Sequence, residues 1–281
     1  MKNRLYGVLF SVLLLFASPV PGLAETALVP TISGNELTAR IELAGGVAAD
    51  LTITFEKVVG LNANALSLSA TLVNPTDLTL LSRLGSGVSI PSGFPVLVRI
   101  EPSASSALSF EGVYKLSLYT NNLTLGANSP LRLYRAPQGG AFGDMTGFLQ
   151  AGSVRAGGSG PGFSDFLIAA DTRAVDSVIA GKFDALQGQL SANSASIAPA
   201  VAADLQQRLS EARAAYDSGA LSTAIDGISG FGDEVKKQSG AAIPNVWQAT
   251  GGPANVAGLL RSSADTLKFS LAFKSNLTPL P

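Results

Sequence analysis

The hydrophobic period of this sequence changes once, near residues 171–173, and this change constrains the fold more than any other feature. Up to that point, apolar residues recur at every second position in short segments, as in β-strands with one buried face. Beyond it they recur every three or four positions, as in amphipathic helices. The sequence therefore predicts an α+β chain of two domains: an all-β domain over residues 25–171, followed by an all-α helical bundle over residues 172–281.

The clearest pair of strands lies around Gly45-Gly46. Residues 37–43 and 49–55 alternate apolar and polar side chains on either side of this pair, which is typical of a β-hairpin. We expect Asn121-Asn122 to turn the chain, and residues 78–84 fit either a strand or a short helical turn. Short strands with turns every 8–12 residues favour an Ig-like sandwich. The other strand-like segments are 65–72, 95–102, 108–120, 131–135 and 163–170.

A glycine-rich segment, residues 137–162, contains nine glycines and has no clear period. It fits a flexible linker, and it also fits glycine-rich strands that belong to the sandwich. The second interpretation is favoured because Phe142, Met145, Phe148 and Leu149 are large apolar residues that a linker does not need.

The second half contains several amphipathic helices. A first helix is predicted from Arg173 to near residue 191, and the apolar residues of 201–216 and 221–235 follow two further stripes. Asp217-Ser218-Gly219 provides a tight turn between these two helices. The spacing of Ile243, Val246 and Trp247 predicts another helical turn. Residues 267–273 fit both a strand and a helix, and the helix is favoured because a helical stripe precedes them without a break.

The block from Leu205 to Gly240 resembles the FIMAH domain, a small helical module, and the likeness extends less tightly over residues 173–260. The resemblance implies a non-catalytic helical unit of the kind appended to secreted bacterial enzymes and surface proteins. The first two thirds of the chain are similar to bacterial secreted proteins, and neither likeness carries a catalytic residue to this sequence. The FIMAH-like positions are Leu209, Ala212, Tyr216, Gly219, Ala224, Ile228, Phe231, Val235 and Gly240.

The first 24 residues have the pattern of a cleavable secretory signal. Lys2 and Arg4 precede a 13-residue apolar segment, and Gly22-Leu23-Ala24 offers small residues for cleavage after Ala24. A membrane anchor is the alternative, but this segment is short for a hydrocarbon core of about 30 Å. We therefore expect a periplasmic or extracellular protein, with no membrane span in the mature chain.

Composition excludes several chemistries. The chain has no His and no Cys, which removes disulfides, Ser-His triads, cysteine nucleophiles and most zinc sites. Residues 1–24 hold two of the 19 basic residues and none of the 20 acids, so the remainder has a net charge of −3. A charge so close to neutral argues against a nucleic-acid partner.

Acidic residues are the remaining candidates for chemistry. A pair of them could serve a hydrolase, and Asp144, Asp165 and Asp171 could bind calcium, but no spacing selects a pair and no D-x-D-x-D-G segment occurs. The acids considered are Asp50, Glu56, Glu101, Glu111, Asp144, Asp165 and Asp171.

We therefore predict no catalytic, cofactor-binding or metal-binding residue. The expected function is a non-enzymatic binding, adhesion or envelope-associated module whose partner is a glycan or an envelope protein. The alternatives are an acid-only hydrolase, an accessory domain of a carbohydrate-active enzyme, and a structural component of an envelope assembly.

Overall fold

A computed structural model describes residues 25–277 apart from 104, 127, 138, 151 and 253. The predicted signal peptide, residues 1–24, lies outside the described residues. The described part consists of two antiparallel sheets and five α-helices, of which four follow the last strand of the first sheet.

The first sheet has seven antiparallel strands. Six of them are ordered β1-β5-β7-β13-β9-β10, and β6 pairs with the end of β13. The strands are β1 (Thr26–Ala27), β5 (Leu66–Leu72), β6 (Val88–Ser89), β7 (Val96–Pro102), β9 (Leu131–Ala136), β10 (Gly143–Asp144) and β13 (Asp165–Asp171).

The second sheet also has seven antiparallel strands. Six of them are ordered β11-β12-β8-β4-β3-β2, and β14 pairs with β8. The strands are β2 (Thr31–Ser33), β3 (Glu36–Leu43), β4 (Val47–Val59), β8 (Ser109–Leu125), β11 (Phe148–Gln150), β12 (Gly152–Gly160) and β14 (Val246–Gln248).

The main hydrophobic core lies between the two sheets. Alternate residues of β3, β4 and β8, such as Ile53 and Leu116, meet alternate residues of β7 and β13, such as Ile100 and Phe166.

The predicted hairpin is confirmed: β3 and β4 pair from Leu43↔Val47 onward, around a 3₁₀ turn at Ala44–Gly46 in which both glycines have φ +73°.

The helices are α1 (Leu78–Leu84), α2 (Val175–Ala192), α3 (Pro199–Asp217), α4 (Leu221–Gln238) and α5 (Val256–Leu277). Helices α2 to α5 share a separate core, and α1 packs with a smaller core on the other face of the first sheet. The predicted α2, α3, α4 and the turn after Asp217 are confirmed. Residues 267–273 belong to α5, so the favoured helical interpretation of this segment is correct.

The predicted order, strands first and a helical bundle after them, holds in outline, but the strict separation into an all-β and an all-α domain is wrong. Helix α1 lies among the strands of the first half, and β14 in the second half adds to the second sheet through pairs such as Trp247↔Phe110. The Ig-like prediction is also wrong, because an Ig sandwich has about seven to nine strands in all, whereas two seven-stranded sheets pack together here.

Two local predictions fail for the same reason, which is that pairing with a distant strand outweighs the local pattern. Ile243, Val246 and Trp247 have helical spacing, yet Val246–Gln248 is extended against β8. Asn121-Asn122 does not reverse the chain, since β8 continues to Leu125 and pairs there with Gly152 of β12.

The glycine-rich segment forms strands β10, β11 and β12, so it belongs to the sandwich. The chain crosses from the first sheet to the second between β10 and β11 and passes very close to β12. A Cβ atom on Gly158 would lie 1.8 Å from the carbonyl oxygen of Met145, and one on Gly157 would lie 2.3 Å from the ring of Phe148. Glycine is required at position 158 because the backbone of the crossing segment occupies the space of a side chain.

Helix α5 connects the helical core to both sheets. Its Arg261 forms a bidentate pair with Glu56 of β4, with both N–O distances 2.7 Å. One turn later, Asp265 accepts a hydrogen bond from Ser159 of β12. Beyond it, Phe273 packs on Arg132 of β9. The prediction that the two halves fold independently, with a boundary near residues 171–173, remains a prediction. These contacts are the interactions that separating the halves would break.

Candidate functional site at the junction of sheets and helices

Each of the seven acids considered for catalysis or calcium binding lies within 4.0 Å of a basic side chain. Each of these carboxylates therefore has a positive charge beside it. Within the described part of the chain, no three acidic side chains form a group that could hold a metal ion. The pairs are Asp50–Arg40, Glu56–Arg261, Glu101–Arg99, Glu111–Lys57, Asp144–Lys182, Asp165–Arg83, Asp165–Arg99 and Asp171–Arg173.

Asp165 has a structural environment. Its side chain is fully buried and accepts hydrogen bonds from Arg83 of α1 and Arg99 of β7, both at 2.9 Å. Arg83 also covers the ring of Phe142, with 4.6 Å between the guanidinium carbon and the ring centroid. The carboxylate therefore attaches α1 to the first sheet.

At the junction of the first sheet with α2 and α5, several charged side chains lie close together, and most of them are largely buried. We define the junction cluster as Arg132 and Tyr134 of β9, Asp144 of β10, Asp171 of β13, Arg173, and Lys182 of α2. The group brings together residues from three strands and a helix, although the chain is close to neutral overall.

Lys182 is the central cation of the junction cluster. Its side chain is 11% exposed, and Nζ lies 2.6 Å from Oδ2 of Asp144, whose side chain is 3% exposed. Nζ also contacts the Thr266 carbonyl at 3.0 Å, the Thr266 hydroxyl at 2.7 Å and the Ser270 hydroxyl at 2.8 Å. Burial lowers the pKa of Lys182, and the Asp144 carboxylate acts in the opposite direction. Through these contacts the amine of Lys182 joins β10 to α5.

Asp171, Tyr134 and Arg173 form a second part of the junction cluster. The Tyr134 hydroxyl donates to Oδ2 of Asp171 at 2.8 Å and accepts from Arg173 at 3.2 Å. Arg173 binds both oxygens of Asp171, at 2.6 and 2.8 Å. Burial raises the pKa of Asp171, but the hydrogen bonds from Arg173 and Tyr134 outweigh this and hold it below its ordinary 3.8. Burial raises the pKa of Tyr134 well above 10, so its hydroxyl stays protonated.

Arg132 is the one cation of the junction cluster without a carboxylate partner among the described residues. It is 7% exposed, and its Nη1 donates to the carbonyls of Ser129 at 2.8 Å and Leu131 at 2.7 Å. Its guanidinium carbon lies 4.2 Å from the ring centroid of Phe273 and 5.3 Å from that of Phe269, which is a cation–π geometry. Burial lowers the pKa of Arg132.

A cavity of about 280 Å³ opens beside Arg132, and we call it the junction cleft. It lies between the ends of β9 and β13 on one side and α2 and α5 on the other. Ser270 connects the cleft to the rest of the junction cluster, because it lines the cleft and its hydroxyl contacts Lys182. Its lining includes Arg132, Asp171, Thr172, Val178, Ser270 and Phe273.

The sequence offered one missed indication of this site. Lys182 lies four residues after Val178 and three after Ile179, so it falls on the apolar stripe of the predicted first helix, where a charge needs a buried partner. Arg132 gave no indication. In the alternating pattern of β9 it occupies a position that looks solvent-facing, and only the packing of α5 covers it.

Tyr114, Tyr134 and Trp247 do not form a common surface. Tyr114 lies in the core between the sheets, where burial raises its pKa to about 12. Tyr134 lies in the separate core under α1. Trp247 stacks on Phe110 with 5.2 Å between ring centroids. It is therefore a packing residue of β14.

The fold and the junction cluster define an α+β protein in which a two-sheet sandwich and a helical bundle share a charged interface. A family model described as "Family of unknown function (DUF6689)" matches residues 11–275, and the chain belongs to this family. The matched range contains both sheets, all helical segments up to residue 275 and the whole junction cluster. No curated protein matches the chain, and no solved structure matches it.

None of the helices in the described ranges combines the length and the apolar character that a membrane crossing requires.

Proposed function

We propose that this protein is a non-enzymatic, extracytoplasmic binding module that holds its ligand in the junction cleft. The observation that carries the proposal is the position of Arg132. It is a largely buried cation beside a cavity, and no described acid pairs with it. A buried charge without a partner is costly to maintain, and such residues concentrate at functional sites.

The non-enzymatic part of the proposal is supported by the state of the other charged groups. All seven candidate acids face basic side chains, and the amine of Lys182 has four polar neighbours. An acid-only hydrolase, the alternative, needs one carboxyl group that is free to protonate a leaving group and a second that is free to act as nucleophile or base. Pairing with cations opposes the first of these roles.

The location outside the cytoplasm is supported by residues 1–24, which have the order expected of a secretory signal. The helical segment resembles a module found on secreted proteins, and this resemblance also remains part of the proposal. The partner that would carry the ligand is a glycan or a protein of the cell envelope.

The binding function can be tested by NMR on the ¹⁵N-labelled chain that begins at Glu25. Small anionic, neutral and cationic compounds are added one at a time, and amide resonances of residues 129, 131–132, 172–178 and 270–273 are followed. At least one class should shift them, and Thr172→Phe, which fills the cleft from an exposed position, should abolish the shifts. Thr31→Phe, an exposed change on the edge strand β2, is the control. The proposal is refuted if no compound up to 10 mM shifts these resonances, or if the shifts persist in Thr172→Phe.

A further inference from the structure

We infer that the ligand of the junction cleft carries a single carboxylate and that Arg132 is the residue that recognises it. The inference rests on the proposed binding function and adds the chemical class of the ligand. It is drawn from the charge balance of the junction cluster, the free edge of Arg132 and the size of the cleft.

The junction cluster carries a net charge of +1. Lys182 pairs with Asp144 and Arg173 pairs with Asp171, which leaves Arg132 in excess. Asp144 and Asp171 influence Arg132 only as more distant charges that partly offset its burial. A bound monoanion would bring the group to neutrality. Asp171 and Arg173 also line the cleft, but as an ion pair, so they offer no excess positive charge for the second negative charge of a dianion such as phosphate.

The orientation of Arg132 leaves one edge of the guanidinium available. The two backbone carbonyls that Nη1 binds and the ring of Phe273 fix the plane of the group. Its Nε and Nη2 make no hydrogen bond to described residues, and neither is among the fully enclosed polar atoms without a partner. These two N–H groups point in parallel, and this is the edge that binds a carboxylate through two hydrogen bonds.

The size of the cleft suits a small group. A volume of about 280 Å³ corresponds to roughly nine water molecules at about 30 Å³ each. It therefore accommodates a ligand, or the end of a larger ligand, comparable to one acylated amino acid. The hydroxyl of Ser270 accepts a hydrogen bond from Lys182 and keeps its own proton to donate to a ligand, and Val178 offers an apolar contact. The hydroxyl of Thr172 already donates to the carbonyl of Gly87.

The test compares probes that differ in charge and little in size. N-acetylglycine carries one carboxylate, and N-acetylglycinamide is its neutral counterpart with the same number of heavy atoms. Each is titrated at constant ionic strength and pH 7 into the chain from Glu25, with inorganic phosphate as the dianionic probe. N-acetylglycine should bind at least tenfold more tightly than the amide or phosphate. A further titration with glucuronate distinguishes an acidic sugar from a peptide-like carboxylate, and binding of either supports the inference.

Variants assign the recognition to Arg132. Arg132→Gln should weaken binding of N-acetylglycine at least tenfold. Arg132→Lys should weaken it less, because an ammonium keeps the charge and loses the parallel N–H pair. Arg155→Gln is the matched control, since Arg155 also stacks on an aromatic ring, at 4.9 Å from the centroid of Tyr119, but lies on β12 away from the cleft. If Arg132→Gln does not fold, Arg132→Lys tests the role of the guanidinium, and wild-type affinity in that variant overturns the inference.

The outcomes separate the two proposals. Three results would show that the ligand class is wrong while the binding function stands. They are equal binding of N-acetylglycine and its amide, tighter binding of phosphate, or wild-type binding of N-acetylglycine by a folded Arg132→Gln. If no probe of any charge shifts the cleft resonances, the binding function itself is wrong.

Discussion

Replacing Lys182 by methionine tests whether the junction cluster holds the sheets and helices together. The substitution keeps an unbranched, flexible side chain and removes the ammonium group with its charge. Asp144, with a side chain only 3% exposed, then loses its cation at 2.6 Å. Thr266 and Ser270 lose a donor at 2.7 and 2.8 Å. The backbone and hydroxyl of Thr146, at 2.8 and 2.6 Å, still hydrogen-bond to Asp144.

The expected cost follows from these contacts. Removing one partner of a buried ion pair typically costs about 3–5 kcal/mol, because the remaining charge stays buried. For a chain of this size, a loss of 1 kcal/mol lowers the melting temperature by about 2–4 °C, so Lys182→Met should melt roughly 6–20 °C below the wild type. Lys237→Met is the control: its surface pair with Glu234 is 3.4 Å long with the lysine 72% exposed. It should change stability by less than about 0.5 kcal/mol.

The assay is denaturation in urea, followed by two signals. The fluorescence of Trp247, the only tryptophan, reports on the contact of β14 with the second sheet, and far-ultraviolet circular dichroism reports on the helices. Asp144→Asn and the double variant Lys182→Met/Asp144→Asn complete a mutant cycle. The double variant should be more stable than the sum of the single losses predicts, by at least about 1 kcal/mol. A loss below 1 kcal/mol in Lys182→Met, or single losses that add within about 0.5 kcal/mol, would refute the argument.

Three further predictions concern the core, the crossing segment and pH. Phe231 is fully buried in the helical core, so Phe231→Ala should lower the free energy of unfolding by about 3–5 kcal/mol in the same urea titration. Glu211 is exposed, and Glu211→Ala should change that free energy by no more than about 0.5 kcal/mol. Gly158→Ala should prevent or severely weaken folding, measured by the yield of folded protein, because its methyl group would meet the carbonyl of Met145; a normal melting curve would contradict the crossing geometry. Burial raises the pKa of Glu56, but the hydrogen bonds from its arginine partner outweigh this and keep it below 4.5. The ionised Glu56 therefore contributes its full stabilisation above pH 4.5, and this stabilisation is lost as the pH falls through the lower pKa of the folded state. The wild type should lose more stability on acidification than Glu56→Gln. Equal losses would contradict the pairing.

Much of the local structure follows from the sequence, because it depends on neighbours in the chain. The alternation of residues 37–43 and 49–55 around Gly45-Gly46 gives the β3–β4 hairpin. The stripes of residues 201–216 and 221–235 give helices α3 and α4, and the same stripes place Phe231 in the core. Side chains at every second residue of a strand, or at every third to fourth residue of a helix, lie on one face of that element. This depends on the local backbone and not on distant parts of the chain.

The mixing of strands and helices across the two halves did not follow from the sequence. Strand β14 has three residues, too few to establish a period of two, and its extended form comes from pairing with β8 more than a hundred residues earlier. The apolar spacing around Trp247 matches a helix, and the partner strand determines the conformation.

The candidate site was decided by tertiary structure alone. Asp144 and Lys182 are 38 residues apart in the sequence, and each belongs to an element that gives no indication of the other. Arg132 has the position of an exposed strand residue until α5 brings Phe273 over its guanidinium. The sequence determined the period of each element, its apolar face, and the absence of histidine and cysteine chemistry. The junction cluster and its excess cation depend on which faces meet, and that is set by packing between residues far apart in the chain.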